Sequence, residues 1–176
     1  MTVTVKRFLV TALLVFSFYS LFAQTTYITS HDLKDSSVKI LKGIISKSLI
    51  NHDTSFNWYQ PSYDNYFPDS GIVNALKRTK DSVQFVLFGG TWCEDTQFIL
   101  PKFFKLQDSS GVSDDQVTFF GVDRKKKTLG NIADAFNITN VPTIIVMKDG
   151  KELGRVVEYG VSGQWDKDLE AILLKK

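Results

Sequence analysis

The sequence has very little cysteine: Cys93 is the only one among 176 residues. A single cysteine excludes an internal disulfide. Histidine is also scarce, with only His31 and His52, and no pair of residues has a ligand spacing such as His-x-x-x-His. We therefore expect no metal site and no cofactor.

An excess of charge of either sign is missing as well. The chain has 21 basic and 19 acidic residues, and the basic run from Lys125 to Lys127 has neither a longer basic stripe nor interleaved aromatic residues around it. Surfaces that bind nucleic acid carry such a stripe. We therefore expect no nucleic-acid partner and interpret the run as a solvated loop.

A hydrophobic run long enough to cross a membrane is also missing. The apolar segment from Phe8 to Phe22 has about 15 residues, whereas a spanning helix needs about 20. Lys6 and Arg7 precede this segment and Ala23 ends it, which is the pattern of a signal peptide. We predict cleavage near Ala23, export to the periplasm or secretion, and no stable membrane insertion afterwards.

The remaining length suits one globular domain with a hydrophobic core. After the signal, apolar residues three and four apart predict an amphipathic helix over residues 32–49; these are Val38, Leu41, Ile44, Ile45 and Leu49. The aromatic segment after His52 predicts a short strand near Phe56 to Tyr59 and then a loop.

From residue 69 onward the sequence alternates between strand and helix patterns. Asp69 is a candidate N-cap for a helix, and Asp149-Gly150 predicts a hairpin turn. The predicted strands are residues 82–88, 117–122, 143–147 and 153–159, and the predicted later helices are residues 94–108, 131–136 and 164–174. This order predicts an α/β fold with a mixed central β-sheet and helices on both faces.

The segment T-W-C-E-D-T, residues 91–96, carries the candidate chemistry. It follows a buried strand and the pair Gly89-Gly90, and it opens a helix. The sulfur of Cys93 is thus predicted at a helix N-terminus, where unpaired backbone N–H groups and the helix dipole stabilise a thiolate. Glu94 and Asp95 oppose that charge. An inert buried thiol is the alternative.

The chain from about residue 72 to residue 174 resembles the thioredoxin superfamily. The resemblance rests on motifs in a fixed order: F-V-L-F-G-G-T-W-C-E-D-T, Pro101, V-P-T at 141–143, D-G at 149–150, Gly160 and a final amphipathic helix. It implies a thioredoxin-like domain over residues 72–176, preceded by a signal peptide at 1–23 and an N-terminal extension, helix plus aromatic loop, at 24–71.

The resemblance also implies roles for individual residues. Cys93 matches the family's catalytic nucleophile, and Trp92 matches the tryptophan beside it. Pro142 matches the proline whose preceding peptide bond is cis in the family. Together with Val141 and Thr143, it would present backbone to a bound substrate.

The departures from the family pattern bear on mechanism. Thr96 occupies the position of the resolving cysteine, Glu94 and Asp95 replace Gly-Pro, and Leu87 replaces a buried aspartate. A mixed disulfide at Cys93 would then persist until another thiol released it, and the Thr96 hydroxyl could donate a hydrogen bond to the sulfur. These features favour monothiol or isomerase-like exchange over dithiol reduction.

Two functions stay open from the sequence. In the first, Cys93 exchanges disulfides with cysteine-containing proteins, or with an external thiol reductant. In the second, the chain is a non-catalytic binding module that holds a peptide or partner protein between Trp92 and Val141-Pro142. Peroxide chemistry at Cys93 is more remote, because its neighbours in sequence are acids.

Overall fold

The computed structural model describes residues 26–175. The predicted signal peptide, residues 1–23, and its cleavage site lie outside the described residues. Within residues 26–175, every helix is too short or too polar to cross a bilayer.

A six-stranded mixed β-sheet forms the centre of the protein. Its strands are β1 (Tyr27–His31), β2 (Lys39–Ile45), β3 (Gln84–Gly89), β4 (Val117–Gly121), β5 (Thr143–Lys148) and β6 (Lys151–Val157). They lie side by side in the order β1-β2-β4-β3-β5-β6. Strands β3 and β4 pair in parallel, and the other neighbouring pairs are antiparallel.

Within residues 26–175, six helices flank this sheet. They are α1 (Lys47–His52), α2 (Tyr59–Asp64), α3 (Ser70–Thr79), α4 (Glu94–Ser110), α5 (Ile132–Ala135) and α6 (Trp165–Leu173), with 3-10 turns at Thr54–Phe56 and Asp114–Gln116. Successive residues of a strand point to opposite faces. On β3, Leu87 packs in a large cluster with Phe103 of α4, and Phe88 packs in a smaller cluster with Ala133 of α5. The predicted α/β fold with helices on both faces is confirmed.

Local sequence signals account for several boundaries in this domain. The Asp69 side chain accepts a hydrogen bond from the Gly71 amide at 2.7 Å and so caps α3, as predicted. Helix α4 ends at Gly111, whose φ of 73° lies in the left-handed region that glycine tolerates best. Asp149 and Gly150 form the turn between β5 and β6.

The helix predicted over residues 32–49 is wrong. This segment forms strand β2 between β1 and β4, and a short helix starts only after Ser46, which caps α1 through the Leu49 amide. A spacing of four, as between Leu41 and Ile45, keeps two residues on one face in either a helix or a strand. Ile44, three residues after Leu41, distinguishes the two: it would share the face of Leu41 in a helix, but it points outward with 47% of its surface exposed, as in a strand.

The short strand predicted near Phe56 to Tyr59 is also wrong. Phe56 is the last residue of a 3-10 turn. Asp53 caps the start of this turn, because its side chain accepts a hydrogen bond from the Ser55 amide. Helix α2 then starts at Tyr59, and Pro61 lies in its first turn, where the missing N–H costs little. The aromatic rings of Phe56 and Tyr59 are buried in the core.

Candidate active site

Cys93 lies at the junction between the loop after β3 and helix α4. It is the N-cap residue of α4, its amide donates to Gly90 O at 2.9 Å, and its carbonyl accepts from the Gln97 amide at 2.9 Å. The side chain is half-buried. The sulfur therefore belongs to a partly exposed residue at the start of a long helix.

The thiol of Cys93 contacts the segment predicted to bind substrate. Its Sγ–H donates to the carbonyl oxygen of Val141 at 3.3 Å. The peptide bond between Val141 and Pro142 is cis. The structure thus brings Cys93 and Val141-Pro142 together, although 48 residues separate Cys93 from Val141 in the chain.

The backbone beyond Pro142 is fixed from a neighbouring loop. Pro142 O accepts from the Glu158 amide at 2.7 Å, and the Glu158 carboxylate accepts from Asn140 Nδ2 at 3.0 Å. Thr143 is buried, and its hydroxyl donates to Asn140 O at 2.7 Å. The Thr143 side chain therefore supports this bend and does not face outward.

The glycine pair before the motif permits close packing of the loop. A Cβ atom on Gly90 would lie 2.5 Å from Cε2 of Trp92, and one on Gly89 would lie 2.7 Å from Cγ2 of Thr96. Contacts that short do not occur between real side chains, so any larger residue would displace Trp92 or Thr96. Gly89-Gly90 therefore allow both side chains to pack directly on the loop backbone.

Thr96, predicted as a catalytic residue, is completely buried, with 0% of its surface exposed. Its hydroxyl oxygen accepts from the Gly90 amide at 3.2 Å. Among residues 26–175, no hydrogen bond joins Thr96 to the sulfur of Cys93, contrary to our expectation. Thr96 braces the loop backbone here, and any catalytic role for it stays a prediction.

Trp92, predicted to bind substrate, connects the motif to the loop after β4. Its indole Nε1 donates to Val122 O at 2.9 Å. The Arg124 guanidinium lies 4.8 Å from the ring centroid, and Lys126 Nζ lies 5.9 Å from it. Both cations are within the range of a cation–π interaction. The basic run, interpreted above as a solvated loop, therefore lies beside the candidate active site.

Two aromatic residues at the site were missed by sequence reasoning. Phe98 of α4 and Tyr159, just after β6, have ring centroids 5.9 Å apart and planes tilted by 49°, and both are partly exposed. Burial raises the pKa of Tyr159, and the nearby Asp95 carboxylate raises it further. The phenol is therefore protonated at neutral pH. No local motif marks Tyr159, because β6 brings it to the site only through the fold.

The N-terminal segment, residues 26–69, also supports the active-site loop. The Thr91 hydroxyl donates to Lys39 O at 2.8 Å and accepts from the Leu41 amide at 3.2 Å, so it binds β2. The buried Asp32 carboxylate forms an ion pair with Arg124, whose hydrogen bond holds the pKa of Asp32 below its ordinary value. Both contacts span more than 45 residues, and no spacing in the sequence indicates them.

The site has neither the buried acid of the family nor a cluster of metal ligands. Leu87, at the position that the family fills with aspartate, packs in the apolar core. Within the part of the chain that the structure describes, no group of three or more His, Cys, Asp or Glu residues is arranged to hold a metal ion.

Comparisons with known proteins point to one family. The thioredoxin family profile matches residues 72–171. Thioredoxin H-type from Brassica oleracea is 33% identical over 104 residues, which cover 58% of this chain and 76% of the relative. Thioredoxin from Staphylococcus aureus is 31% identical over 83 residues, which cover 47% of this chain and 74% of the relative.

Solved structures are similar in fold. An HIV epitope scaffold and a Pseudomonas aeruginosa protein of unknown function each give a TM-score of 0.50 at 18% identity, covering 72% of this chain and 89% of the other. At that identity the likeness concerns the fold alone. With the profile matching more than half of its length, the chain belongs to the thioredoxin family.

Proposed function

We propose that this protein is an exported monothiol member of the thioredoxin family that exchanges disulfides with partner proteins through Cys93. Its thioredoxin domain supports a thiol–disulfide oxidoreductase-like function in general. The single sulfur makes the proposal specific, because the chain has no second cysteine to resolve a mixed disulfide.

One observation carries the proposal. Cys93 is half-buried at the start of α4, and its sulfur lies 3.3 Å from Val141 O, next in the chain to Pro142. A thiolate is the nucleophile in disulfide exchange, and a helix N-terminus stabilises it. An extended partner chain that lay along residues 141–142 would bring its own sulfur close to Cys93.

The proposed reaction exchanges one sulfur–sulfur bond for another. The Cys93 thiol gives up its proton to water, and the thiolate attacks one sulfur of the partner's disulfide. A bond forms between Cys93 Sγ and that sulfur, while the partner's original S–S bond breaks. The other partner sulfur leaves with the electron pair and takes up a proton. An external thiolate then attacks the partner's sulfur in the mixed disulfide and forms a new S–S bond with it, while Cys93 leaves as a thiolate and takes up a proton.

A kinetic experiment tests this proposal. Purified protein is mixed with a peptide whose one cysteine is activated as a 2-pyridyl disulfide, and the released pyridinethione is followed by absorbance. We expect the folded protein to react at least about tenfold faster than the same chain in concentrated urea, because unfolding removes the helix N-terminus from the thiol. Mass spectrometry identifies the adduct on Cys93.

Two controls make the result decisive. Cys93→Ser must give no reaction. A free cysteine peptide of the sequence T-W-C-E-D-T reports the reactivity of the motif outside the fold, at the same pH and in the same urea concentrations. Equal rates for the folded protein and this peptide without urea would contradict an activated thiol.

The alternative of a binding module has one observation in its favour. Phe98 and Tyr159 expose 44% and 39% of their surfaces beside the thiol, and such rings can hold a peptide without any reaction. Partner capture with Cys93→Ser distinguishes the two functions. A partner that is retained by this variant, while the wild type forms no mixed disulfide in its own compartment, would favour the module.

Export is tested independently of the chemistry. The signal pattern of residues 1–23 supports cleavage near Ala23. We expect mature protein from the periplasm or the culture medium to start near Gln24, as determined by mass spectrometry of its N-terminal peptide. Full-length protein that stays with the cytosolic fraction would contradict export.

A further inference from the structure

We propose that the basic loop, residues 124–127, selects partners that carry acidic side chains beside their reacting cysteine. This inference rests on the proposed function, since it names the class of partner for the same thiol. The loop has the sequence R-K-K-K and follows strand β4.

The topology places this loop next to the thiol. Strands β3 and β4 are parallel neighbours, and their last residues, Gly89 and Gly121, are paired. The Val122 amide donates to Gly89 O at 3.0 Å. The chain leaving β3 leads to Cys93, and the chain leaving β4 leads to the basic loop. Both loops therefore emerge at the same edge of the sheet.

Two cations of the basic loop face the aromatic ring beside the thiol. The Arg124 guanidinium lies 4.8 Å from the centroid of Trp92, and Lys126 Nζ lies 5.9 Å from it. Trp92 directly precedes Cys93 in the chain. A partner chain that contacts the indole thus enters the field of both cations.

The charges of the loop are only partly neutralised by the protein itself. Arg124 pairs with the buried Asp32, and Lys127 pairs with Asp134. Among the residues that the structure describes, Lys125 and Lys126 form no ion pair. These two lysines are available to an anionic side chain of a partner.

The backbone of the loop is built to hold this arrangement. The Asp123 carboxylate accepts from the amides of Lys125 at 2.9 Å and Lys127 at 3.0 Å, and Lys42 of β2 binds its other oxygen at 2.8 Å. Lys126 has a φ of 59°, which is uncommon for a residue with a side chain. Strained backbone of this kind persists where the surroundings fix it, and it clusters at functional sites.

The opposite side of the thiol has the other charge. Glu94 and Asp95 lie in the first turn of α4, and Glu158 directly follows β6, which is separated from β4 by β3 and β5 in the sheet. The electrostatic potential near Cys93 is therefore positive on the side of Trp92 and negative on the side of α4. An acidic partner residue gains energy only when it lies on the Trp92 side, so the charge also sets the direction of the bound chain.

Three peptide probes test the inference. They share one sequence with a central cysteine activated as a 2-pyridyl disulfide, and they carry Asp, Ser or Lys at the positions that flank it. At low ionic strength we expect the Asp peptide to react fastest and the Lys peptide slowest. Replacing Lys126 by Gln should reduce the rate of the Asp peptide about threefold, the effect of one unit charge at about 6 Å in water.

The matched control is Lys151→Gln, which removes the same charge at the β5–β6 turn, the end of the sheet away from Cys93. Its rates should equal those of the wild type. Lys126→Gly is a second variant that should behave as Lys126→Gln does, since glycine adopts positive φ freely. Salt should abolish the differences among the peptides.

The possible outcomes separate this inference from the proposed function. Equal rates for the Asp and Lys peptides in low salt, or equal effects of Lys126→Gln and Lys151→Gln, would overturn the role of the basic loop and leave the thiol chemistry intact. If none of the peptides reacts faster with the folded protein than with the unfolded chain, the proposed function itself fails.

Discussion

The N-terminal segment, residues 26–69, and the thioredoxin domain, residues 72–171, contribute differently to the loop that carries Cys93. The domain provides the sulfur and the Val141 carbonyl that faces it. The N-terminal segment provides polar supports: β2 binds the Thr91 hydroxyl, and Asp32 binds Arg124. The loop is therefore held from both sides, and the matched family region accounts for only one of them.

The two regions also differ in how they are bound to the rest of the protein. The domain brings its own strands and helices together around the core. The N-terminal segment instead adds strands to one edge of the sheet, where β2 pairs with β4. Leu41 and Ile45 of β2 then enter the large core cluster. If these contacts are strong, the segment is part of the cooperative fold rather than an appendage.

The largest expected effect comes from the core contact of β2. Leu41 is 1% exposed, and we expect Leu41→Ala to lower the free energy of unfolding by about 3 kcal/mol, because truncation leaves a cavity. Urea denaturation measures this loss. Ile44→Ala on the same strand, where 47% of the side chain is exposed, should cost less than about 1 kcal/mol. Similar losses for the two variants would mean that β2 is not integrated into the core.

A smaller effect is expected from the polar contact between the regions. Thr91→Val keeps the shape of the side chain but removes the hydroxyl that binds Lys39 O and the Leu41 amide. We expect a loss of about 1–3 kcal/mol, since both backbone groups lose a partner. Hydrogen exchange at the Leu41 amide should accelerate. Unchanged exchange there would show that the Thr91 contact does not hold β2 to the loop.

The sequence predicts the thioredoxin domain better than the N-terminal segment for a physical reason. Buried strands such as V-T-F-F-G at residues 117–121 and the Asp149-Gly150 turn carry local signals that agree with the fold. In the N-terminal segment, Leu41 and Ile45 fit two periods equally well. The deciding interaction, pairing of β2 with β4, joins residues more than 70 positions apart.

The residues of the candidate site also fall into those that the sequence identifies and those that it does not. Cys93, Trp92 and Val141-Pro142 could be identified because a family motif marks them, and the structure brings them together. Arg124 and Tyr159 were not identified, because no motif marks them and the fold brings them to the site. One signal was available for Arg124. A loop that follows the strand parallel to β3 must emerge at the same edge of the sheet as the loop with Cys93.

The smallest expected effect concerns the ion pair between the regions, and it depends on pH. The hydrogen bond from Arg124, with help from the Lys34 amide, lowers the pKa of Asp32 below its ordinary value of 3.8. The ionised carboxylate therefore stabilises the fold above that value, and its contribution is lost as the pH falls through the lower, folded-state pKa.

Urea midpoints of the wild type and Asp32→Asn should differ most at neutral pH and converge in acid below pH 3.8. In an Arg124→Gln background the convergence should largely disappear, because the main cause of the pKa shift is gone. Equal convergence in both backgrounds would show that Arg124 does not hold Asp32, and the N-terminal segment would then support the loop through Thr91 alone.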